Sequence, residues 1–356
     1  MIIDANRLKK FTANIFMACG INENEALQAA DVLIRADLRG IDSHGVARLS
    51  GYVRLIEKNR VNIKPDMKII HETPATATLD ADLGLGLISA QTGMQIAIQK
   101  AKQCGTGMVA IQNSNHFGIA AYHAMLALEH DMIGMALTNA SPLVAPTHSK
   151  QRMLGTNPIC YAFPAGKYQP LVVDLATSTA ANGKLEIAQR AGKTVPKGWI
   201  IDKDGKDTND PSALQSGGIL LPLGSGDSLA GHKGFGLSAI VDVLSAVLSG
   251  ANYGPWVPPF VAFLDPIENQ PGRGIGHFVA AMRVDAFRKV DEFKNHMDNW
   301  IATFKQAARV DENIPVIIPG EPEFEQEKLR SVQGIPLNSK VVEDLQSLSL
   351  QLGIPL

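Results

Sequence analysis

Apolar residues recur three and four apart through the first sixty positions, and that spacing predicts helices. Leu8, Phe11, Ile15 and Ala18 mark one face, with Gly20 placed to end the helix. Asn22 with Glu25 three residues later reads as a helix start of the capping-box kind, and Gly40 as its stop. A third helix is expected to begin after Ser43, with Val46, Leu49, Val53 and Ile56 as its apolar stripe. Beyond residue 75 the pattern changes. Short β-prone runs at 76–80, 108–112, 133–139, 159–163 and 171–175 alternate with helical patterns at 89–103 and 120–130. Such alternation predicts an α/β fold. Residues 192–226 are rich in Gly, Pro and Asp and read as an extended excursion. An apolar helix over 234–250, a strand over 277–284, a charged helix over 291–308, a strand over 314–318 and a helix over 340–352 complete the expected order.

Composition narrows the possibilities. The 356 residues are 45% hydrophobic and only 19% charged, with a formal charge of -2. Disorder needs low hydrophobicity and high net charge, so the chain is expected to fold. With 33 Lys+Arg against 35 Asp+Glu it has no basic field for nucleic acid. Three cysteines, Cys19, Cys104 and Cys160, form no CxxC pair, so neither a disulfide framework nor a zinc module is expected, and no metal. Asp4 stands where a signal peptide needs basic residues, and the 234–250 stretch contains Asp242 and is too short for a bilayer. A soluble, cytoplasmic protein without a membrane partner is expected. The low charge suggests a large core or a surface covered by another subunit.

Four places concentrate chemistry. Asp42-Ser43-His44-Gly45 precedes Arg48 and Tyr52. On one continuous helix His44, Arg48 and Tyr52 fall at i, i+4 and i+8, which aligns a proton carrier, a planar cation and a phenol. A solvated polar face fits the same pattern. Asn113-Ser114-Asn115-His116-Phe117-Gly118 follows a strand and precedes a helix, where α/β folds gather their sites. His123 and His130 recur at seven-residue intervals after His116, too far apart on a helix to share one metal, and read as packing or surface residues.

The third place is phosphate-like. Asp82-Leu-Gly84-Leu-Gly86 resembles a Rossmann turn, but Ser89 replaces the third glycine and no acid ends the next strand. Residues 226–233 resemble a P-loop with His232 inserted before Lys233. Lys233 at a helix start, with free amides around it, suits an anion such as a diphosphate; an exposed lysine at a glycine-rich helix entry is the plainer reading. The fourth place is a pair of strand ends. Asp174 and Glu321 could each accept hydrogen bonds from ribose hydroxyls, or serve as a turn and a helix cap.

Six segments occur in fixed order: Ser43-His-Gly45, Ser114-Asn-His-Phe-Gly118, Gly155-Thr-Asn-Pro158, Asp174-Leu-Ala-Thr-Ser178, Gly231-His-Lys-Gly-Phe-Gly-Leu237 and Arg330-Ser-Val-Gln-Gly-Ile-Pro-Leu337. Together they resemble the malate/L-lactate dehydrogenase family, which also holds L-sulfolactate, ureidoglycolate and diketogulonate enzymes and imine reductases. The resemblance spans nearly the whole chain. It implies an oxidoreductase using NAD, with NADP as the other possibility, and a cofactor fold that is not Rossmann. It implies a helix-rich substrate and dimer domain (residues 1–120 with 310–356), a mixed-sheet cofactor domain (121–309) and a homodimer. The expected substrate is a small 2-hydroxy or 2-oxo acid, most of all malate/oxaloacetate; lactate, sulfolactate, ureidoglycolate, a diketo sugar acid or a cyclic imine on the same scaffold, or a non-catalytic nucleotide-binding protein, are the alternatives. Carried over by position, it puts Ser43, His44, Arg48, Tyr52 and His116 around the substrate, with His116 as proton carrier and His44 orienting. The cofactor is expected to meet Asn139, Ala140, Asp174, Leu175, Ala176, Thr177, Lys233, His296, Gly320 and Glu321.

Overall fold

The computed structural model describes residues 1–226, 229–260 and 266–356. In chain order the first elements are β1 (Ile2–Ile3), α1 (Ala5–Ala18), α2 (Glu23–Leu38), α3 (Leu49–Glu57), β2 (Lys68–Glu72), β3 (Thr76–Asp80), α4 (Gly86–Cys104), β4 (Thr106–Ser114), α5 (Ala120–Met125), β5 (Met132–Thr138), β6 (Ile159–Phe163) and β7 (Leu171–Leu175). Then come α6 (Asn182–Arg190), β8 (Ile200–Ile201), β9 (Asp207–Thr208), β10 (Ile219–Leu220), α7 (Gly231–Asp242), β11 (Ile275–Arg283), α8 (Val290–Lys305), α9 (Glu321–Gln333), β12 (Ile335–Pro336) and α10 (Ser339–Leu352).

The second helix starts where its cap predicts, and the first has an N-cap at Asp4 that was not expected. Asp4 accepts from the Arg7 amide at 2.9 Å, and Asn22 from the Glu25 amide at 3.0 Å. Their apolar stripes meet in a core that includes Leu8, Phe16, Leu33 and Leu49 and that draws in Leu345 and Leu348 from α10. The β1–β12 pair ties the chain's start to this C-terminal return.

The main sheet has seven strands in the order β2-β3-β4-β11-β5-β6-β7. β3–β4 is parallel, and the other five neighbouring pairs are antiparallel. A Rossmann sheet is mostly parallel with a strand-order switch, so this α/β fold is of another kind, as expected. A second core of small residues, among them Ala97, Ala101, Ala124 and Ala136, lets α4 and α5 lie close on the sheet. Because β2, β3 and β4 belong to that sheet, a division between residues 120 and 121 runs through it.

Several elements depart from the expected pattern. The third helix is not continuous: Asp42–His44 and Val46–Arg48 are separate 3₁₀ turns, and α3 starts only at Leu49. Residues 314–318 join no sheet; Pro315 and Pro319 lack amide donors, and the contact made is the Val172 amide on the Pro319 carbonyl at 3.2 Å. Two helices change their winding at the C-terminal end. α5 tightens into 3₁₀ over Leu126–His130, and α7 widens into a π-helical stretch over Val243–Val247. The 192–226 excursion carries a small sheet of order β10-β8-β9. Within 226–233, positions 227 and 228 lie outside the described residues. The glycines that mimicked nucleotide loops have packing roles. A Cβ on Gly86 would stand 1.9 Å from the Asn115 carbonyl oxygen, and one on Gly234 would stand 2.0 Å from that of Leu223.

Candidate active site

Two loops build the site. β4 ends at Ser114, and residues 114–118 then turn in against α2. Gly118 has φ +81°, and a Cβ there would lie 2.6 Å from Val32 Cγ1. Asn115 anchors the turn by donating to the Leu83 carbonyl at 2.8 Å. The opposing loop carries Ser43, His44 and Arg48. Gly45 breaks it at φ -84°, ψ -146°, because the Asp37 carboxylate occupies the space a side chain would need. Asp37 Oδ2 accepts from the Val46 amide at 2.8 Å.

The broken helix cannot line up His44, Arg48 and Tyr52 by helical spacing, yet all three converge on His116. Tyr52 hydroxyl lies 2.6 Å from His116 Nδ1. The His44 and His116 rings stack with centroids 5.7 Å apart. Ser43 Oγ is 2.9 Å from His44 Nδ1, and Arg48 Nε donates to the Ser43 carbonyl at 2.6 Å. This spends one Arg48 nitrogen on the scaffold and leaves the terminal pair of the guanidinium for a carboxylate. The Gly118 amide also points at His116 Nδ1, at 3.3 Å. An amide can only donate, so Nδ1 is an acceptor and the neutral ring carries its proton on Nε2.

Burial and crowding set the charge states. Burial, helped by Arg48, pushes His44 down to about 4. His116 is held well below the usual histidine range by burial first and then by His44 and Arg48. Burial pushes the Tyr52 phenol far up, so it stays a donor. The free site is therefore a pair of neutral imidazoles beside one guanidinium cation.

Phe260 completes the pocket and was not visible in the sequence. Its ring centroid lies 4.5 Å from that of His116 and 5.0 Å from that of Tyr52. It comes from 144 residues beyond His116, where no local pattern marks it.

The residues expected around a cofactor fall into three groups. Asp174, Leu175 and Gly320 line a slot of about 400 Å³ walled by Ile41, Val172, Ile317 and Pro319. Asp174 lies at the solvent-accessible mouth of the slot and accepts from the Ala121 amide at 2.9 Å. Crowding by the surrounding protein pushes its carboxyl up to about 6, with the Ala121 amide and Arg39 opposing. An apolar slot of this size ending in a carboxylate fits an adenosine, whose ribose offers a diol.

The second group is scaffold. Asn139 donates to the Asn252 carbonyl at 2.7 Å and to Asp242 at 3.2 Å, and accepts from the Gly276 amide at 3.1 Å. The Ala140 amide donates to Asn157 Oδ1 at 3.1 Å, and Thr177 Oγ1 donates to the Asn157 carbonyl at 2.9 Å. These atoms shape the wall and are not free for a ligand. Asn157, with φ +36°, is the hub the sequence reading passed over.

The third group stands apart. Lys233 is exposed in the first turn of α7. His296 is exposed on α8 with Arg288 at 3.2 Å. Glu321 opens α9, and Lys305 holds it at 2.5 Å. Burial pushes its carboxyl up, but Lys305 and the Ile318 amide more than offset this and keep it low. Ala176 is half-buried. Among the described residues no group of three His, Cys, Asp or Glu could hold a metal ion, and no helix is long and apolar enough to cross a membrane.

The chain is similar to known proteins from end to end. The malate/L-lactate dehydrogenase family model matches residues 3–346. Malate dehydrogenase of Pyrococcus horikoshii is 40% identical over 353 residues, covering 99% of this chain and 96% of that protein. L-sulfolactate dehydrogenase of Methanocaldococcus jannaschii is 38% identical, covering 99% and 98%. The crystal structure of malate dehydrogenase from Entamoeba histolytica superposes with a TM-score of 0.93 at 34% identity, covering 100% and 99%. With paired histidines and an arginine in one pocket, a non-Rossmann sheet and end-to-end similarity, the chain belongs to the malate/L-lactate dehydrogenase family.

Proposed function

We propose that this chain is an NAD-dependent dehydrogenase of a small dianionic 2-hydroxy acid, with malate and oxaloacetate as its pair. The observation that carries the reading is the Tyr52–His116 hydrogen bond of 2.6 Å, stacked under His44 beside Arg48. The relatives named for malate and for sulfolactate support the substrate class. Both compounds are 2-hydroxy carboxylates with a second anionic group.

Bound NAD supplies a hydride acceptor for C2 of the hydroxy acid. The chain's own residues do the rest. The terminal nitrogens of Arg48 clamp the substrate carboxylate in a bidentate grip, which fixes C2. In the reductive direction the entering dianion raises the affinity of His116 for a second proton. His116 Nε2 then gives a proton to the C2 oxygen, and the ring returns to neutral with its remaining proton on Nδ1, against the Tyr52 oxygen, while the phenol turns its proton to the His116 carbonyl at 3.4 Å. In the oxidative direction the ring acts from this Nδ1–H tautomer, in which Nε2 is free to accept the proton. His44 orients the substrate oxygen, and Phe260 excludes water.

The slot supports NAD over NADP. Among its described lining residues the cation is Arg39, which is 2% exposed, paired with Glu327 at 3.1 Å and laid over the Phe324 ring at 4.5 Å. Asp174 and Glu323 face the same space, and a 2′-phosphate needs a free cation there. Two measurements test the reading together. In calorimetry NAD is expected to bind at least tenfold more tightly than NADP; equal affinity removes the cofactor assignment. With NADH, oxaloacetate is expected to exceed pyruvate in kcat/KM by about 10–100-fold, the value of one charge-assisted hydrogen bond. A cyclic imine turning over faster than either overturns the substrate assignment.

A homodimer is part of the same proposal. Leu237, Ile240, Val243 and Val247 are spaced three and four apart, Leu248 follows directly, and all five are 37–57% exposed, an apolar stripe along α7 and its π-helical extension. A second copy covering that stripe accounts for the low charge of the chain. Light scattering at low concentration is expected to give twice 38.2 kDa; a stable, active monomer removes the dimer.

A further inference from the structure

His277 takes no part in the chemistry described above, yet it is wholly buried at the centre of the sheet. It sits on β11, between β4 and β5, and its backbone pairs with both. These two strands end in the parts that must be kept in register. β4 leads through Ser114 to His116, and β5 leads through Thr138 to Asn139 and Ala140.

The imidazole spans that gap. Nε2 lies 2.8 Å from Ser114 Oγ, and Nδ1 lies 2.8 Å from Thr138 Oγ1. The direction of the chain follows from its ends. Thr138 Oγ1 faces two carbonyls, Asn139 at 2.9 Å and Gly276 at 3.0 Å, so its proton goes to them and its oxygen accepts from Nδ1–H. Nε2 is then left to accept from Ser114, and Ser114 in turn accepts from Ser89 of α4 at 2.7 Å. One proton on the ring satisfies every partner, which requires the neutral form. Burial and the neighbouring His123 push the ring down to about 3, in keeping with that. The ring also stacks on Phe117 at 4.9 Å and 15°. Phe117 adjoins His116 in the chain, and its carbonyl is held from the far side by His123 Nε2 at 2.8 Å.

We propose that His277 is a positioning residue: it locks the His116 loop to the end of β5 through the relay Ser89–Ser114–His277–Thr138. The proposal rests on the reading that His116 carries the proton. Each ring nitrogen meets a hydroxyl from a different strand, so the position uses the polar atoms of the imidazole as well as its bulk.

The test compares His277→Leu, His277→Gln and Ser114→Ala in the full-length enzyme. His277→Leu is expected to lower kcat by about 10–100-fold, the effect of displacing a reacting group by a fraction of an ångström to an ångström. The Kd for NAD should stay within about twofold, and the pH midpoint of kcat/KM should move, because the surroundings of His116 change. His277→Gln, whose amide reaches Ser114, should recover part of kcat. Ser114→Ala removes the Nε2 link together with the Ser89 contact but leaves His277 and its Thr138 bond in place, and keeps the test valid if His277→Leu folds poorly; it should lower kcat by at least about fivefold. A kcat that is unchanged in folded His277→Leu and Ser114→Ala overturns the proposal. So does a loss of activity that only tracks the folded fraction, with an unmoved pH profile. If His116→Ala keeps a normal kcat, the reading beneath the proposal fails first, whatever His277 does.

Discussion

His116→Ala is expected to lower kcat by about 10²–10⁴-fold, the range for removing a positioned acid–base group. The argument is geometric before it is electrostatic. His116 has Nδ1 engaged by Tyr52 at 2.6 Å and by the Gly118 amide at 3.3 Å, so Nε2 is the nitrogen left to meet a substrate. His44 has its Nδ1 against Ser43 at 2.9 Å and lacks the phenol behind it. His44→Ala is therefore expected to act mainly on KM, with a smaller loss of kcat of about tenfold. The pH dependence separates the two roles as well. A base must be deprotonated to act, and His116 is held below the usual histidine range, so kcat/KM for oxidation should already be flat above about pH 6.5. After burial, His44 is the largest influence holding His116 low. His44→Ala should accordingly move the acid limb upward in pH. A dead His44→Ala beside a normal His116→Ala would show that the roles are exchanged.

The sequence carried the parts of the fold that local chemistry decides. α1 and α2 have clean apolar stripes and glycines just past their ends, and α2 has the Asn22 cap, so the end of the first and both ends of the second were legible. β2 was not, because Lys68–Glu72 is exposed throughout and its pair of isoleucines does not alternate. α9 was hidden for a related reason. None of its residues is fully buried, so it shows no apolar period; Arg330 on Asp42 and Arg39 on Glu327 fix it. The site followed the same division. His44, Arg48, Tyr52 and His116 are named by their loops. What they do there depends on Phe260, Asp37 and Asn157, which arrive from distant positions. Asn139 and Thr177 could be named from their segments but their hydrogen bonds could not, since each side chain is spent on backbone that only tertiary structure supplies.

Gly45→Ala is expected to be the most damaging single methyl group that can be added to the Ser43–Arg48 loop. The new Cβ would stand 1.9 Å from Asp37 Oδ1 and 2.1 Å from Cγ. Asp37 cannot swing away cheaply, because it is 1% exposed and its Oδ2 holds the Val46 amide. Overpacking costs about 1–3 kcal/mol, and a broken buried hydrogen bond costs a further 1–3 kcal/mol or so. Thermal unfolding should register a drop of several degrees. kcat/KM should fall by about 10²-fold, because His44 moves with the loop. A double-mutant cycle isolates the cause. In an Asp37→Ala background the obstacle is gone, so adding Gly45→Ala should cost almost nothing more; additive losses would mean that the glycine is needed for some other reason. Asp37 adds a pH signature of its own. Burial pushes its carboxyl up to about 8, with the Val46 amide opposing. Its contribution to stability is fully present below the unfolded value near 3.9 and is lost as pH rises through about 8. Between those limits the wild type should lose stability relative to Asp37→Asn, whose amide keeps an acceptor for Val46 without the charge. Parallel melting curves at pH 5, 7 and 9 measure that slope, and two curves that fall together would mean that Asp37 is charged when it folds.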